Sequence, residues 1–203
     1  MTALVLRMLG MLAFLGTAAI VAAVIVGLAY ALGRGDARLV RRLGVFGSVV
    51  VAGYALLLVA GPAVTAPRSL EPGREMSFCG FDCHLHVSAV SARRGAGLDV
   101  TLRFRSDAAR APEFPGELRV RVVDSAGREY APLARLPRNE LPAGGEAVHT
   151  LHFPLPADAA SPRVTVTWGR WLDYAVPGPG NPLVQRKVSL ELAGLAPEVS
   201  GHP

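Results

Sequence analysis

Two long uncharged runs open the chain, and they restrict what it can become more than anything that follows. Residues 8–33, MLGMLAFLGTAAIVAAVIVGLAYALG, and residues 43–67, LGVFGSVVVAGYALLLVAGPAVTAP, contain no Asp, Glu, Lys or Arg. A bilayer's hydrocarbon core, about 30 Å thick, is crossed by roughly 20 apolar helical residues, so each run is long enough to span it. The competing reading of the first run is a cleaved signal peptide, whose apolar core is only about 7–15 residues and ends at a small-residue site. This run is longer and ends in GRGDARLVRR. The sequence therefore predicts a two-span hairpin over residues 1–66, with spans at about 8–33 and 43–64.

Basic residues orient the hairpin. Arg34, Arg38, Arg41 and Arg42 stand against Asp36 in the loop between the runs. The positive-inside tendency puts such a loop in the cytoplasm, which places both termini and everything beyond residue 67 on the outer side of a cell inner membrane. Arg7 alone argues the other way. Charge location also speaks against nucleic acid as a partner. The whole chain carries a formal +5, yet residues 68–203 hold 16 basic and 15 acidic side chains. A nucleic-acid-binding domain concentrates its basic residues on one face. Neither run contains Asp, Glu, Lys, Arg or His, which disfavours a proton relay or transport path through this chain. Small residues recur four apart, at Ala19, Ala23, Gly27 and Ala31 and again at Gly44, Ser48 and Ala52. Such stripes let helix backbones approach, either within the hairpin or against another membrane subunit.

Residues 67–75 read as a polar tether, because Pro and Gly stop the helix there. From residue 76 to 195 the pattern is β. LDVTLRFRS (98–106) alternates strictly, with Leu98, Val100, Leu102 and Phe104 on one face. ELRVRVV, AVHTLHFPLP, RVTVTW and KVSLEL repeat the alternation between Gly-, Pro- and Asp-containing turns. The fold class that follows is a membrane α-helical hairpin plus an all-β, immunoglobulin-like antiparallel β-sandwich. Residues 196–203, with His202, read as a frayed tail.

VVDSAGREYAPL, ELPAGGEAVHTLHFPLPADAASPRVTVTW and RKVSLEL together resemble bacterial membrane-anchored immunoglobulin-like domains of unknown function. The resemblance covers roughly residues 76–195, implies a sandwich used for binding or as an accessory module, and brings no catalytic residues with it. A second likeness is one of layout: two spans followed by a β-domain are similar to cytochrome oxidase subunit II. Cys79 and Cys83 match that family's Cys-x₃-Cys copper ligands, but Val87 and Val90 stand where its His and Met are required.

The densest chemistry lies in MSFCGFDCHLHVSAV, residues 76–90, which holds both cysteines and two of five histidines. In an oxidising compartment, Cys79 and Cys83 suggest one short-loop disulfide; an exchanging dithiol and a metal thiolate are the alternatives. If residues 82–90 form a strand, Cys83, Leu85, Val87 and Ala89 face inward while His84 and His86 face out. His84 and His86 then stand about 7 Å apart, a separation that copper or zinc bridges only with a third ligand, for which His152 is the histidine available. Solvent-facing strand residues are the plainer reading. His149 shares the apolar face and reads as a near-core residue. Trp168 continues a strand's alternation; Trp171 and Tyr174 open a Pro/Gly loop and read as a partner-binding or headgroup-level pair, or as local packing. His84, His86 and Asp82 could serve acid–base chemistry, but their spacing specifies no reaction, and no nucleophile elbow, phosphate loop or HExxH is present. The expectation is a non-catalytic binding or accessory subunit of an envelope or membrane assembly. It carries no cofactor, and its partners are the bilayer and another protein; the rival is a copper- or thiol-handling redox protein.

Overall fold

The computed structural model describes residues 2–78, 84–169, 171–178 and 180–192, with side chains described from residue 8 onward and Trp171 excepted. The two apolar runs are helices, α1 (Thr2–Gly33) and α2 (Ala37–Val64), joined by a tight turn. Met8–Gly33 and Ala37–Val64 are each long and apolar enough to cross a membrane. The Asp36 carboxylate accepts from the backbone N–H groups of Arg38 (3.1 Å) and Leu39 (3.0 Å), capping the start of α2.

The helices pack antiparallel. Leu43 of α2 lies against Gly27 of α1, and Val24 of α1 lies against Gly47 of α2, with Ala31 buried beside them. The small-residue stripe of α1 is therefore used, at Gly27 and Ala31. In α2 it is displaced: Gly44 faces open space and Gly47 makes the contact. A large side chain seated on a glycine brings two backbones together as well as small-on-small contact does, so the stripe chosen depends on where the partner's bulky residues fall. Away from this seam, Leu12, Leu15, Ile25, Val26, Val49, Leu56 and Val59 are all exposed.

The described residues beyond the hairpin contain nine strands in two sheets. They are β1 (Arg68–Leu70), β2 (Met76–Phe78), β3 (Leu85–Arg94), β4 (Leu98–Ser106), β5 (Leu118–Val123), β6 (Glu129–Tyr130), β7 (Glu146–Phe153), β8 (Arg163–Trp168) and β9 (Val188–Glu191), with a short helix α3 (Pro182–Gln185) before the last. One sheet runs β2-β3-β4-β7 and the other β1-β9-β8-β5-β6. The chain changes sheet after β1, β4, β6 and β7, which makes an immunoglobulin-like sandwich. Between the sheets Phe78, Leu85, Leu102, Phe104, Phe153, Val122, Val164, Val166 and Leu190 are almost wholly enclosed. Burying such side chains supplies the main drive to fold.

One expectation needs correcting. Residues 67–75 are not only a tether: Arg68–Leu70 forms β1, paired in parallel with β9 as Arg68↔Val188 and Leu70↔Leu190. The other ladders are antiparallel. A three-residue strand is too short to show a period, so alternation could not reveal it.

Register fixes which end of the sandwich faces the hairpin. Arg68 follows α2 closely and is level with Val188, and Trp168 ends the neighbouring strand beside Leu118. Phe78 meets Trp168 edge-on at 5.9 Å, which brings Leu85 and Ser106 to the same end. Leu98 and Phe153 are at the far end.

Candidate functional site

The outer face of the β2-β3-β4-β7 sheet carries a polar cluster at its hairpin-proximal end. Antiparallel pairing sets His86 opposite Arg105 and Ser77 opposite His86. His84 precedes β3, and its backbone carbonyl accepts from the Asp107 N–H at 3.0 Å, extending the ladder by one step. Asp107 thereby lies where one carboxylate reaches both imidazoles. Its Oδ1 is 2.9 Å from His84 Nδ1, and its Oδ2 is 2.8 Å from His86 Nε2. His86 Nδ1 lies 3.1 Å from Ser77 Oγ and 3.8 Å from Glu75. Arg105 grips Glu75 with two donors, at 3.1 and 2.7 Å, and Arg103 stands 3.7 Å away.

Ionised carboxylates only accept, so each histidine must present an N–H to Asp107. Burial pushes the Asp107 carboxyl up, but the hydrogen bonds from His84 and His86, with their charges, outweigh it and hold the group below the usual carboxylate range. Glu75 is likewise held low, chiefly by the Arg105 hydrogen bonds. Chemically the cluster is one carboxylate shared by two imidazoles, beside the Glu75–Arg105 ion pair.

His152 does not join His84 and His86. It pairs with Asp99 instead, Nδ1 to Oδ1 at 2.5 Å. Asp99 is six residues from Arg105 along β4, about 20 Å at the rise of a strand. The ladder sets His152 opposite Asp99 at the far end, so the third ligand sought there is absent from the pair. Among the described residues no group of three or more His, Cys, Asp or Glu is arranged to hold a metal. Cys79, Cys83 and Asp82 lie outside the described residues, as do the Trp171 side chain and His202. His149 is half-buried with its ring 5.8 Å from that of Phe104, as its face predicts.

Tyr174 is half-buried, and its backbone carbonyl accepts from Asn181 Nδ2 at 3.0 Å. Its segment, the turn Trp171–Ala175 with Val176 and Pro177, rests on the hairpin. The Tyr54 hydroxyl of α2 donates to the Ala175 carbonyl, and the Pro177 carbonyl abuts Gly10 of α1.

No family model matches the chain. No curated protein matches it either. Among solved structures, the chain is similar to a secreted protein of Mycobacterium tuberculosis, MPT63, with a TM-score of 0.41 and 11% identity over 62% of this chain and 97% of that one.

A second polar network explains the DSAGREY stretch. Asp124 Oδ1 accepts from the backbone N–H groups of Ala126 and Arg128, both at 2.9 Å. Its Oδ2 accepts from Arg128 Nε at 2.7 Å and the Tyr130 hydroxyl at 3.1 Å. Gly127 closes the turn at φ +79°, a conformation that favours glycine. Arg128 also reaches Asp158 at 2.9 Å, tying this turn to the one after β7. The network ties the turn after β5 to the turn after β7.

Sequence reasoning found His84 and His86 but missed Asp107, Glu75, Arg105 and Ser77. The available signal was the Gly95–Gly97 hairpin turn, from which pairing can be counted outward. That count fails at Val90, where a bulge shifts the register between Ala89 and Ser91.

Proposed function

We propose that this chain is a membrane-anchored extracytoplasmic binding or accessory module, non-catalytic itself, with both termini and the sandwich outside the cytoplasmic membrane. The carrying observation is the junction. A hairpin covered in exposed apolar side chains runs through only Thr65, Ala66 and Pro67 into a strand of the sandwich. The junction is closed by bonds: Arg68 N–H to the Lys187 carbonyl at 2.8 Å, and Lys187 Nζ to the Thr65 carbonyl at 2.9 Å. Such an arrangement suits a domain held at a fixed attitude above a bilayer. The polar clusters of the sandwich engage one another rather than converging on a cavity, which favours recognition over reaction. The cavity at the far end, between Ala92, Leu98, Arg163 and Glu191, has Arg94 at its wall. That guanidinium is engaged by the carbonyls of Pro156, Ala157 and Ala159.

Topology is tested with a membrane-impermeant thiol reagent on intact cells, the unsubstituted chain serving as blank. Leu133→Cys should label at once, and Arg34→Cys only after permeabilisation; the reverse pattern would refute the orientation. Thiol titration and metal analysis of the purified full chain test the rest. A Cys79–Cys83 disulfide without metal agrees with the proposal. Stoichiometric copper or zinc that disappears in His86→Ala would replace it with the metal-handling reading.

A further inference from the structure

The turn Trp171–Ala175 and the residues after it sit beside the hairpin, not above it. Tyr54, which bonds Ala175, lies ten residues before the end of α2, about 15 Å down the helix at 1.5 Å per residue. The pairings Gly27–Leu43 and Val24–Gly47 set Gly10, which abuts Pro177, level with about position 60 of α2 by the same rise. From Leu43 at the start of its uncharged run, a core of about 30 Å ends near position 63 of α2. Ala175, Val176 and Pro177 therefore fall within the depth of the outer leaflet.

The segment is built for that depth. In hydrocarbon every backbone polar group needs a partner inside the protein, since no water can serve. Asn181, only 1% exposed, donates from Nδ2 to the carbonyls of Tyr174 and Val176, both at 3.0 Å, and accepts the Leu183 N–H at 2.9 Å. The Ala175 carbonyl is taken by Tyr54 and the Gly178 carbonyl by the Asn181 N–H. The carbonyls of Asn181, Pro182 and Val184 are taken by N–H groups within and just after α3. Two large apolar side chains point away from the protein, Leu172 at 48% and Leu183 at 43% exposed. Arg186 is exposed just beyond them, and Lys187 is bonded to Thr65 at the helix end, where cationic side chains meet phosphate headgroups.

We propose that Leu172, Val176, Pro177 and Leu183 form a wedge of the β-domain embedded in the outer leaflet, its occupant being phospholipid acyl chain and its collar the headgroup phosphates. The inference rests on the hairpin spanning the bilayer. It makes the domain a lipid-contacting body rather than one suspended above the membrane.

The test reconstitutes the full chain in phosphatidylcholine–phosphatidylglycerol vesicles, with bimane placed by Leu172→Cys, Leu183→Cys, Leu133→Cys or Ile25→Cys and the labelled unsubstituted chain as blank. Lipids carrying a doxyl group near the headgroup end of the acyl chain should quench positions 172 and 183 severalfold more than position 133. Iodide in the buffer should reverse that order. If Ile25 is quenched by doxyl lipid but 172 and 183 respond only to iodide, the hairpin spans and the wedge is wrong. Protection of 172 and 183 from both quenchers would mean that protein covers them, which also overturns it. If Ile25 itself escapes doxyl quenching, the spanning reading and the wedge fall together.

Discussion

Asp124 is enclosed to 1% exposure, and the turn around it closes only because one carboxylate accepts from Ala126, Arg128 and Tyr130. Replacing it by Ala leaves the N–H groups of Ala126 and Arg128 and the Tyr130 hydroxyl without their acceptor, while the half-exposed Arg128 guanidinium keeps Asp158, and unmade buried hydrogen bonds cost more than made ones contribute. Asp124→Ala should therefore lower the urea midpoint of the sandwich markedly. Asp99→Ala, which removes a half-exposed partner of His152, should leave it nearly unchanged. Asp107 predicts a pH dependence. Its folded carboxyl titrates below the ordinary value of about 3.9, so the stabilisation it gives is complete at neutral pH and is lost as pH falls through the lowered value. Thermal melts of Asp107→Asn against the unsubstituted chain should show a gap at pH 5 that narrows below about pH 4.

At the scale of the element, the bulge at Val90 decides what could be read in advance. Strict alternation gave β4 and β8 at their observed limits, because apolar and polar side chains alternate without a break in each, even though β8 is enclosed on both faces. It also put Leu85, Val87 and Ala89 inward and His86 outward, and the structure agrees. What it could not supply was the partner of the histidines. Counted from the Gly95–Gly97 turn without a bulge, His84 would face Ala108; with Val90 extruded, Leu85 pairs Ser106 and His84 meets Asp107. β1 was hidden for another reason, since three residues carry no period and their pairing with β9 spans most of the domain. The extra residue makes a sharp prediction. Deleting Val90 joins Ala89 to Ser91 with both already in register against Leu102 and Thr101, so the fold and midpoint should survive. Deleting Thr101 from the unbulged partner should flip half of β4 outward and cost more than about 3 kcal/mol, the scale of losing one large core side chain. Circular dichroism melts separate the two deletions.

Taken whole, the molecule is a hairpin and a sandwich sharing a seam of few but well-placed contacts. Tyr54→Phe removes one of them, a loss of about 1 kcal/mol by ordinary hydrogen-bond measure, and should speed amide exchange across Val176–Gln185 while leaving β3 and β4 protected. The seam also has a mechanical meaning. Between Val64 and Arg68 the linker is too short to flex, and the Lys187–Thr65 bond braces it from the side. A helix pair that leans to match a thinner membrane must then take the sandwich with it. At a length of roughly 30 Å set by the nine residues of β4, a lean of about 10° carries the far end some 5 Å sideways. With the hairpin spanning as proposed, the end bearing His152 and Asp99 would move like the tip of a pointer, a gauge of bilayer thickness.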